Sequence, residues 1–163
     1  MVAERTTYRE RSPWPGWVKA ILWGSAVLCS YPIIAGWDHE LPLAGRLWVV
    51  LGIFGAMGLL AFLLGGLTVE VRETGILVHM GRVPLIHRRI PFEEIEGVRA
   101  VRYRPIREFG GWGIRGFGRR KIWSSRGDRA VALELVGDRE LLLGSDHPQR
   151  LEERIRQAIA NAG

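Results

Sequence analysis

The most constraining feature of this sequence is an unbroken run of 21 residues without a charged side chain, from Leu47 to Leu67. At a rise of about 1.5 Å per residue, a helix of this length spans the roughly 30 Å hydrocarbon core of a bilayer. A helix buried in a small soluble domain seldom has an apolar surface on every side. The run therefore predicts a membrane-spanning helix over 47–67.

A second apolar stretch, uncharged from Ala20 to Trp37, predicts an earlier span at about 16–37. Lys19 stands near the start of this span, where its aliphatic stem can carry the ammonium group to the lipid headgroups. Pro32 inside the span predicts a kink. Tryptophans flank the span, as is typical of membrane interfaces, and these are Trp14, Trp17 and Trp37.

An apolar stretch near the amino terminus can also be a targeting signal that is removed from the mature protein. Here the stretch is longer than the apolar region of a typical signal peptide, and no small-residue cleavage site follows it cleanly. Leu28 precedes Cys29, whereas a lipoprotein signal has a small residue at that position. We therefore expect the first span to be retained.

Only a short connection separates the two spans, so we expect an antiparallel hairpin with both chain termini on one side of the membrane. Basic residues concentrate in the amino-terminal arm, residues 1–15, and after Leu67, whereas the connection is slightly acidic. The positive-inside rule then predicts a multi-pass membrane protein with both termini in the cytoplasm. Small residues spaced by four, at Gly52–Ala56 and Ala61–Gly65, favour packing between the two spans over packing against a second copy.

Beyond Leu67 the periodicity changes, and residues 68–163 predict one cytoplasmic domain. A carboxy-terminal amphipathic helix is expected, because Leu151, Ile155 and Ile159 recur every four residues. Short alternating stretches between turn residues predict a small antiparallel sheet. The expected strands are 68–73, 76–80, 85–89, 95–103, 130–136 and 140–143. This α+β order is similar to a pleckstrin-homology-like (PH-like) domain, a partly open barrel with one carboxy-terminal helix.

The net charge of +6 is concentrated in residues 101–126, which we call the basic segment. It contains eight basic side chains and one acidic side chain, Glu108, and its net charge of +7 accounts for the whole excess. One interpretation is a bulged hairpin whose aromatic residues fill the domain core. The other is a membrane-facing patch, since each Lys or Arg near an anionic leaflet contributes about 1 kcal/mol to binding.

The membrane-facing interpretation names specific residues. The candidate anion-binding side chains are Arg104, Arg107, Arg115, Arg119, Arg120 and Lys121. The candidate membrane anchors are Trp112 and Phe117, together with Trp14 and Trp17 beside the first span. Basic residues among aromatics also suit single-stranded nucleic acid. The membrane tether and the lack of a known nucleic-acid motif disfavour such a partner.

No enzymatic activity is expected. The four histidines have no second ligand at metal-binding spacing, so neither a metal ion nor a cofactor is predicted. Ser124 and Ser125 lack the frame of a nucleophile elbow, and the glycines of the basic segment lack the context of a nucleotide-binding loop. Glu108 could serve as a general acid or base, but an ion pair with an arginine is the simpler interpretation.

The run Tyr103–Arg115, YRPIREFGGWGIR, resembles the signature of an uncharacterised bacterial family. Members of that family have two membrane spans followed by a small PH-like domain. The similarity continues through 127–131 and 143–145 and, with the paired spans, covers most of the chain. Phe109 stands where the family has tyrosine, and Trp123 where it has Tyr followed by Asn. The resemblance implies this architecture in a multi-pass protein of the bacterial inner membrane. The family has no established activity to carry over, so the resemblance says far more about architecture than about function.

These features together predict a non-catalytic membrane protein. Its PH-like module is expected to contact anionic lipid headgroups or a protein partner at the inner leaflet. The alternative is a scaffold or assembly subunit of a membrane complex that forms homo-oligomers through its spans.

Overall fold

The computed structural model describes residues 5–35 and 42–162 of the 163-residue chain. Two long helices are followed by a sheet-rich region that ends in a further helix. Helix α1 spans Gly16–Ile34, helix α2 spans Leu43–Leu64, and both are long and apolar enough to cross a membrane. No residue of α2 is buried within the chain, so its apolar surface must be covered by lipid or by another protein.

The ends of the helices differ from the limits of the apolar runs. Helix α2 begins four residues before Leu47, because Pro42 sets the extended turn ahead of it and Arg46 is accommodated within the first turns. It also ends three residues before Leu67, which is fully buried as the first residue of the next strand. The expected end of the first span at Trp37 lies outside the described residues. An apolar run therefore marks where side chains avoid water, and it does not mark where a helix stops.

The two helices contact each other through a pair of aromatic side chains, among other residues. The rings of Trp23 and Phe54 stack with centroids 5.9 Å apart. A Cβ atom placed on Gly58 would lie 3.9 Å from the Trp23 ring, whereas one on Gly52 or Gly55 would meet no atom within 4 Å. The intrachain packing expected at Gly52 is therefore not what the structure shows. Assembly with a second copy through that face stays a prediction.

The first sheet, which we call the amino-terminal sheet, contains a strand that the sequence did not suggest. Strand β1 (Thr6–Ser12) lies in the segment expected to be a cytoplasmic arm, and it pairs antiparallel with strand β2 (Leu67–Arg72), which follows α2. Because β1 precedes α1 and β2 follows α2, both ends of the helix pair leave from the same sheet. The strands of this antiparallel sheet, in spatial order, are β1 (Thr6–Ser12), β2 (Leu67–Arg72), β3 (Gly75–Met80) and β4 (His87–Pro91).

The second sheet, the carboxy-terminal sheet, is mixed, whereas an antiparallel sheet was predicted. Its spatial order is β5-β8-β9-β7-β6, and β7 and β9 pair in parallel because β9 enters between β7 and β8. Local periodicity reports strands but not this spatial order. A 3₁₀ turn at Phe92–Glu94 precedes the sheet, and helix α3 (Pro105–Phe109) precedes β6. The strands are β5 (Ile95–Arg102), β6 (Gly113–Phe117), β7 (Arg120–Ser124), β8 (Arg129–Leu135) and β9 (Arg139–Gly144).

The two open sheets and the last helix share one hydrophobic core. The six expected strands lie within two residues of β2, β3, β4, β5, β8 and β9. The expected carboxy-terminal helix is α4, Pro148–Ala162, in which Leu151 and Ile155 are fully buried and Ile159 is half-buried. Core side chains from both sheets include Leu67, Val69, Ile76, Val78, Leu133, Leu135, Leu141 and Leu143.

A buried carboxylate ties β1 to the second sheet. Glu10 is 9% exposed, and its Oε1 accepts hydrogen bonds from Ser145 Oγ at 2.7 Å and from the backbone N–H groups of Asp146 at 2.9 Å and His147 at 3.2 Å. Nearby, Ser125 Oγ donates to the carbonyl oxygen of Ser12 at 2.6 Å. Strand β1 thus joins both sheets to the start of α1.

Candidate functional site

The basic segment folds as a short helix followed by the β6–β7 hairpin. Gly116 adopts a φ of +112°, and a Cβ atom there would lie 2.8 Å from the Cα of Lys121, so the close approach of the two strands requires glycine. Of its aromatics, Trp123 is buried at 6% exposure and Phe109 packs edge-on against Tyr103 with centroids 6.0 Å apart. The hairpin interpretation therefore accounts for part of the segment, while other side chains stay at the surface.

Four arginines of the basic segment are neutralised by carboxylates. Arg119 pairs with Asp138 at 2.7 Å. Arg120 contacts Glu108 at 3.0 Å and Glu140 at 2.6 Å. Glu108 also accepts a 2.7 Å hydrogen bond from the backbone N–H of Arg104, so its two oxygens hold α3 to β7. The other two pairs are Arg102–Asp128 and Arg126–Asp146.

The remaining cations of the segment form no ion pair with a described residue. Of the six predicted anion-binding side chains, Arg119 and Arg120 form ion pairs, and the other four form none with a described residue. Arg115 Nε donates to the carbonyl oxygen of Trp112 at 3.3 Å, which holds it near the start of β6. The unpaired cations are Arg104, Arg107, Arg115 and Lys121.

The predicted anchors lie at two different places. Trp112 donates from Nε1 to the carbonyl oxygen of Gly127 at 2.8 Å, and its ring lies 5.9 Å from that of Trp17, in the first turn of α1. Trp112 therefore docks the sheet onto the start of α1. Phe117 is 97% exposed at the other end of β6, about 13 Å along the strand at 3.3 Å per residue. Trp14 lines a cleft beside α1.

This cleft is a second cationic site that the sequence did not reveal. We call it the base cleft, because it lies where α1 begins and α2 ends, and its volume is about 540 Å³. Arg11 from β1, Lys19 from α1 and Arg82 from the β3–β4 loop line it, together with apolar side chains. No acidic residue of the described chain lines it. The strand that carries Arg11 could have been predicted from alternation along residues 9–12. Arg9 and Arg11 are exposed there, whereas Glu10 and Ser12 face inward.

The guanidinium groups of the base cleft have contacts, but none of them forms an ion pair with a carboxylate in the part of the chain that the structure describes. Arg11 Nη2 donates to the carbonyl oxygen of Gly65 at 3.3 Å, and Arg82 lies 5.1 Å from the centroid of the Phe62 ring. Burial, together with the positive charges of Arg82 and Arg9, lowers the pKa of Arg11 from its usual value. Positive charge gathered in this way favours the binding of an anion.

An apolar loop continues the same end of the molecule. The backbone N–H of Gly81 donates to the carbonyl oxygen of Gly66 at 2.7 Å, so the β3–β4 loop leaves the sheet beside the end of α2. Three large apolar side chains are exposed on it, namely Val83, Leu85 and Ile86. Cations, tryptophans and an exposed apolar loop thus meet at one end of the helix pair.

Comparison with protein-family models and with curated proteins gives no match to this chain. Within residues 5–35 and 42–162, no group of three His, Cys, Asp or Glu side chains is arranged to hold a metal ion. The two cationic surfaces and their position relative to the helices are the features of the described residues that suggest a binding role.

Proposed function

We propose that this chain is a two-span protein of the bacterial inner membrane whose cytoplasmic domain contacts anionic lipid headgroups and catalyses no reaction. The observation that carries the proposal is the convergence of cations and tryptophans at the one end of the helix pair from which the amino-terminal sheet emerges. Lipid headgroups carry phosphate at the membrane–water interface, and tryptophan side chains favour the same interface.

The pairing of β1 with β2 supports the orientation. It brings the start of α1 and the end of α2 to one side, together with Arg11, Lys19 and Arg82. The connection at the other end of the helix pair is slightly acidic in sequence. By the positive-inside rule, the sheet domain belongs in the cytoplasm.

Two open sheets followed by α4 support a PH-like domain. Strand β1 and the parallel pair β7–β9 were not part of the predicted order of elements from which a PH-like domain was inferred. The resemblance of Tyr103–Arg115 to a two-span family agrees with this proposal and stays a prediction.

The unpaired cations of the basic segment give the domain a further way to contact the leaflet. Each is worth about 1 kcal/mol near an anionic surface, and salt screens the attraction over about 8–10 Å. The ion-paired Arg119 and Arg120 contribute less, because their charge is already balanced by Asp138, Glu108 and Glu140. Arg107 and Arg115 are therefore the informative positions in this segment.

The test is the enrichment of phosphatidylglycerol over phosphatidylcholine around the full-length protein in mixed-lipid nanodiscs, measured by mass spectrometry of retained lipid. The wild type should enrich phosphatidylglycerol, and high salt should reduce the enrichment. Replacing Arg107 and Arg115 by Gln should lower the enrichment several-fold. Replacing Arg150 and Arg154 of α4 by Gln, an equal change of charge, should have little effect. A wild-type ratio of one, unaffected by salt, would contradict the proposal.

A further inference from the structure

The base cleft differs from the general cationic surface because two neighbouring elements, β1 and α1, build it together with the distant β3–β4 loop. Arg11 is the penultimate residue of β1, Lys19 lies in the first turn of α1, and Arg82 is the second residue of the β3–β4 loop. Their convergence depends on the β1–β2 pairing and on the hydrogen bond from the Arg82 backbone N–H to the carbonyl oxygen of Phe62, at 3.4 Å. A cationic surface that results only from a local excess of Lys and Arg in the sequence would not depend on such long-range contacts.

The guanidinium groups are held in place but retain free donors. An arginine has five N–H donors, and Arg11 uses one of them on the carbonyl oxygen of Gly65. Arg82 presents its planar group over the Phe62 ring, which fixes its position without using a donor. Guanidinium groups bind phosphate oxygens in bidentate geometry, and an ammonium group such as that of Lys19 adds a mobile third charge.

The deeper wall of the cleft is apolar. Trp23, Gly58 and Phe62 line it between α1 and α2. Trp23 lies one turn beyond Lys19, about 6 Å further along the helix axis. Gly58 keeps this part open, because its missing side chain faces the Trp23 ring. A cationic mouth above an apolar groove matches a molecule that has a phosphate at one end and a hydrocarbon chain at the other.

We propose that the base cleft binds one anionic phospholipid, with its phosphate held by Arg11, Lys19 and Arg82 and an acyl chain lying between α1 and α2. This inference rests on the proposed membrane orientation, and it adds a discrete, stoichiometric site to a general attraction for the leaflet. The bound lipid links β1, α1, α2 and the β3–β4 loop, so it fastens the sheet domain to the helix pair.

The experiment counts the lipids that stay bound when the full-length protein is released from phosphatidylglycerol-containing nanodiscs into mild detergent, by native mass spectrometry. The wild type should retain one phosphatidylglycerol per chain. The double variant Arg11→Gln/Arg82→Gln should lose at least about tenfold in occupancy, and Arg150→Gln/Arg154→Gln should retain the lipid. Equal retention in both double variants would overturn the proposal.

Two glycine-to-leucine variants test the contribution of the apolar groove to lipid binding without changing any charge. Gly58→Leu places a side chain in the apolar wall and should empty the cleft without changing any charge. Gly52→Leu adds the same side chain where a Cβ meets no neighbouring atom, and it should retain the lipid. Retention by Gly58→Leu at the wild-type level would contradict binding in the groove.

Competition with soluble anions tests whether the cleft binds the phosphate of a lipid or that of a small soluble molecule. Inorganic phosphate and glycerol phosphate at millimolar concentration should not displace the lipid, because they lack the acyl chain. Displacement would overturn the lipid assignment in favour of a soluble anion. General enrichment of phosphatidylglycerol without a retained lipid would refute this inference alone, whereas absence of any salt-sensitive enrichment would refute the proposed function.

Discussion

Replacing Gly81 by alanine is expected to lower the free energy of unfolding by about 3 kcal/mol or more, the range of a strained backbone combined with an overlap in a packed region. Gly81 has a φ of +78°, and a Cβ atom there would overlap the carbonyl oxygen of Leu63 near the end of α2. Its own carbonyl oxygen accepts a 3.2 Å hydrogen bond from Thr68 Oγ1. The β3–β4 loop would have to move away from α2, taking Arg82 with it.

Gly118→Ala is the matched control for this prediction. Gly118 has a φ of +60°, but a Cβ atom there meets nothing within 4 Å, so only the left-handed backbone cost of about 1–2 kcal/mol applies. Thermal unfolding of the full-length protein in one detergent, followed by tryptophan fluorescence, compares the two variants. Equal losses of stability would show that the loop does not pack against α2 as described. A larger loss for Gly81→Ala, accompanied by reduced lipid retention, is the expected result.

Replacing Glu10 by alanine should destabilise the domain by about 3 kcal/mol, because hydrogen bonds to a charged group are worth about 1.5–3 kcal/mol each and are not fully additive. Ser145 Oγ and the backbone N–H groups of Asp146 and His147 would lose their shared acceptor. The loss should be accompanied by faster hydrogen exchange in β1, since this carboxylate holds the strand to the second sheet.

Two further variants serve as comparisons for Glu10→Ala. Glu10→Gln keeps an acceptor oxygen and should lose less stability than Glu10→Ala. Glu153→Ala on the exposed face of α4 should change stability by no more than about 0.5 kcal/mol. Chemical unfolding of the full-length protein provides the comparison. If Glu10→Ala behaved like Glu153→Ala, the carboxylate would not be the link between β1 and the second sheet.

Local patterns in the sequence were sufficient for most of the elements. Period-two alternation after Leu67, together with turn residues and prolines between apolar stretches, identified six strands. The four-residue spacing of Leu151, Ile155 and Ile159 identified α4. Strand β1 was missed because its seven residues include three charged side chains and its partner, β2, follows some 55 residues later. The parallel pair β7–β9 was missed for a similar reason, since spatial order is set by long-range packing.

The candidate sites were predictable to a smaller extent. The basic segment was visible as a concentration of charge, but its acidic partners, Asp138 and Glu140, lie outside it and could not be assigned from spacing. The base cleft was not visible, because its three cations meet only after β1 pairs with β2. Lys19 was predicted to lie near the lipid headgroups, and the structure adds Arg11 and Arg82 as the other cations of the cleft that it lines.

The central claim is that two spans hold a cytoplasmic sheet domain against the inner leaflet. Its most direct test is labelling of single-cysteine variants with a membrane-impermeant maleimide in intact cells, in a Cys29→Ser background that removes the native cysteine. Glu40→Cys, between the spans, should be labelled, and Glu153→Cys should be labelled only after the membrane is permeabilised. Labelling of Glu153→Cys in intact cells, or recovery of the chain in the supernatant after ultracentrifugation without detergent, would contradict the claim.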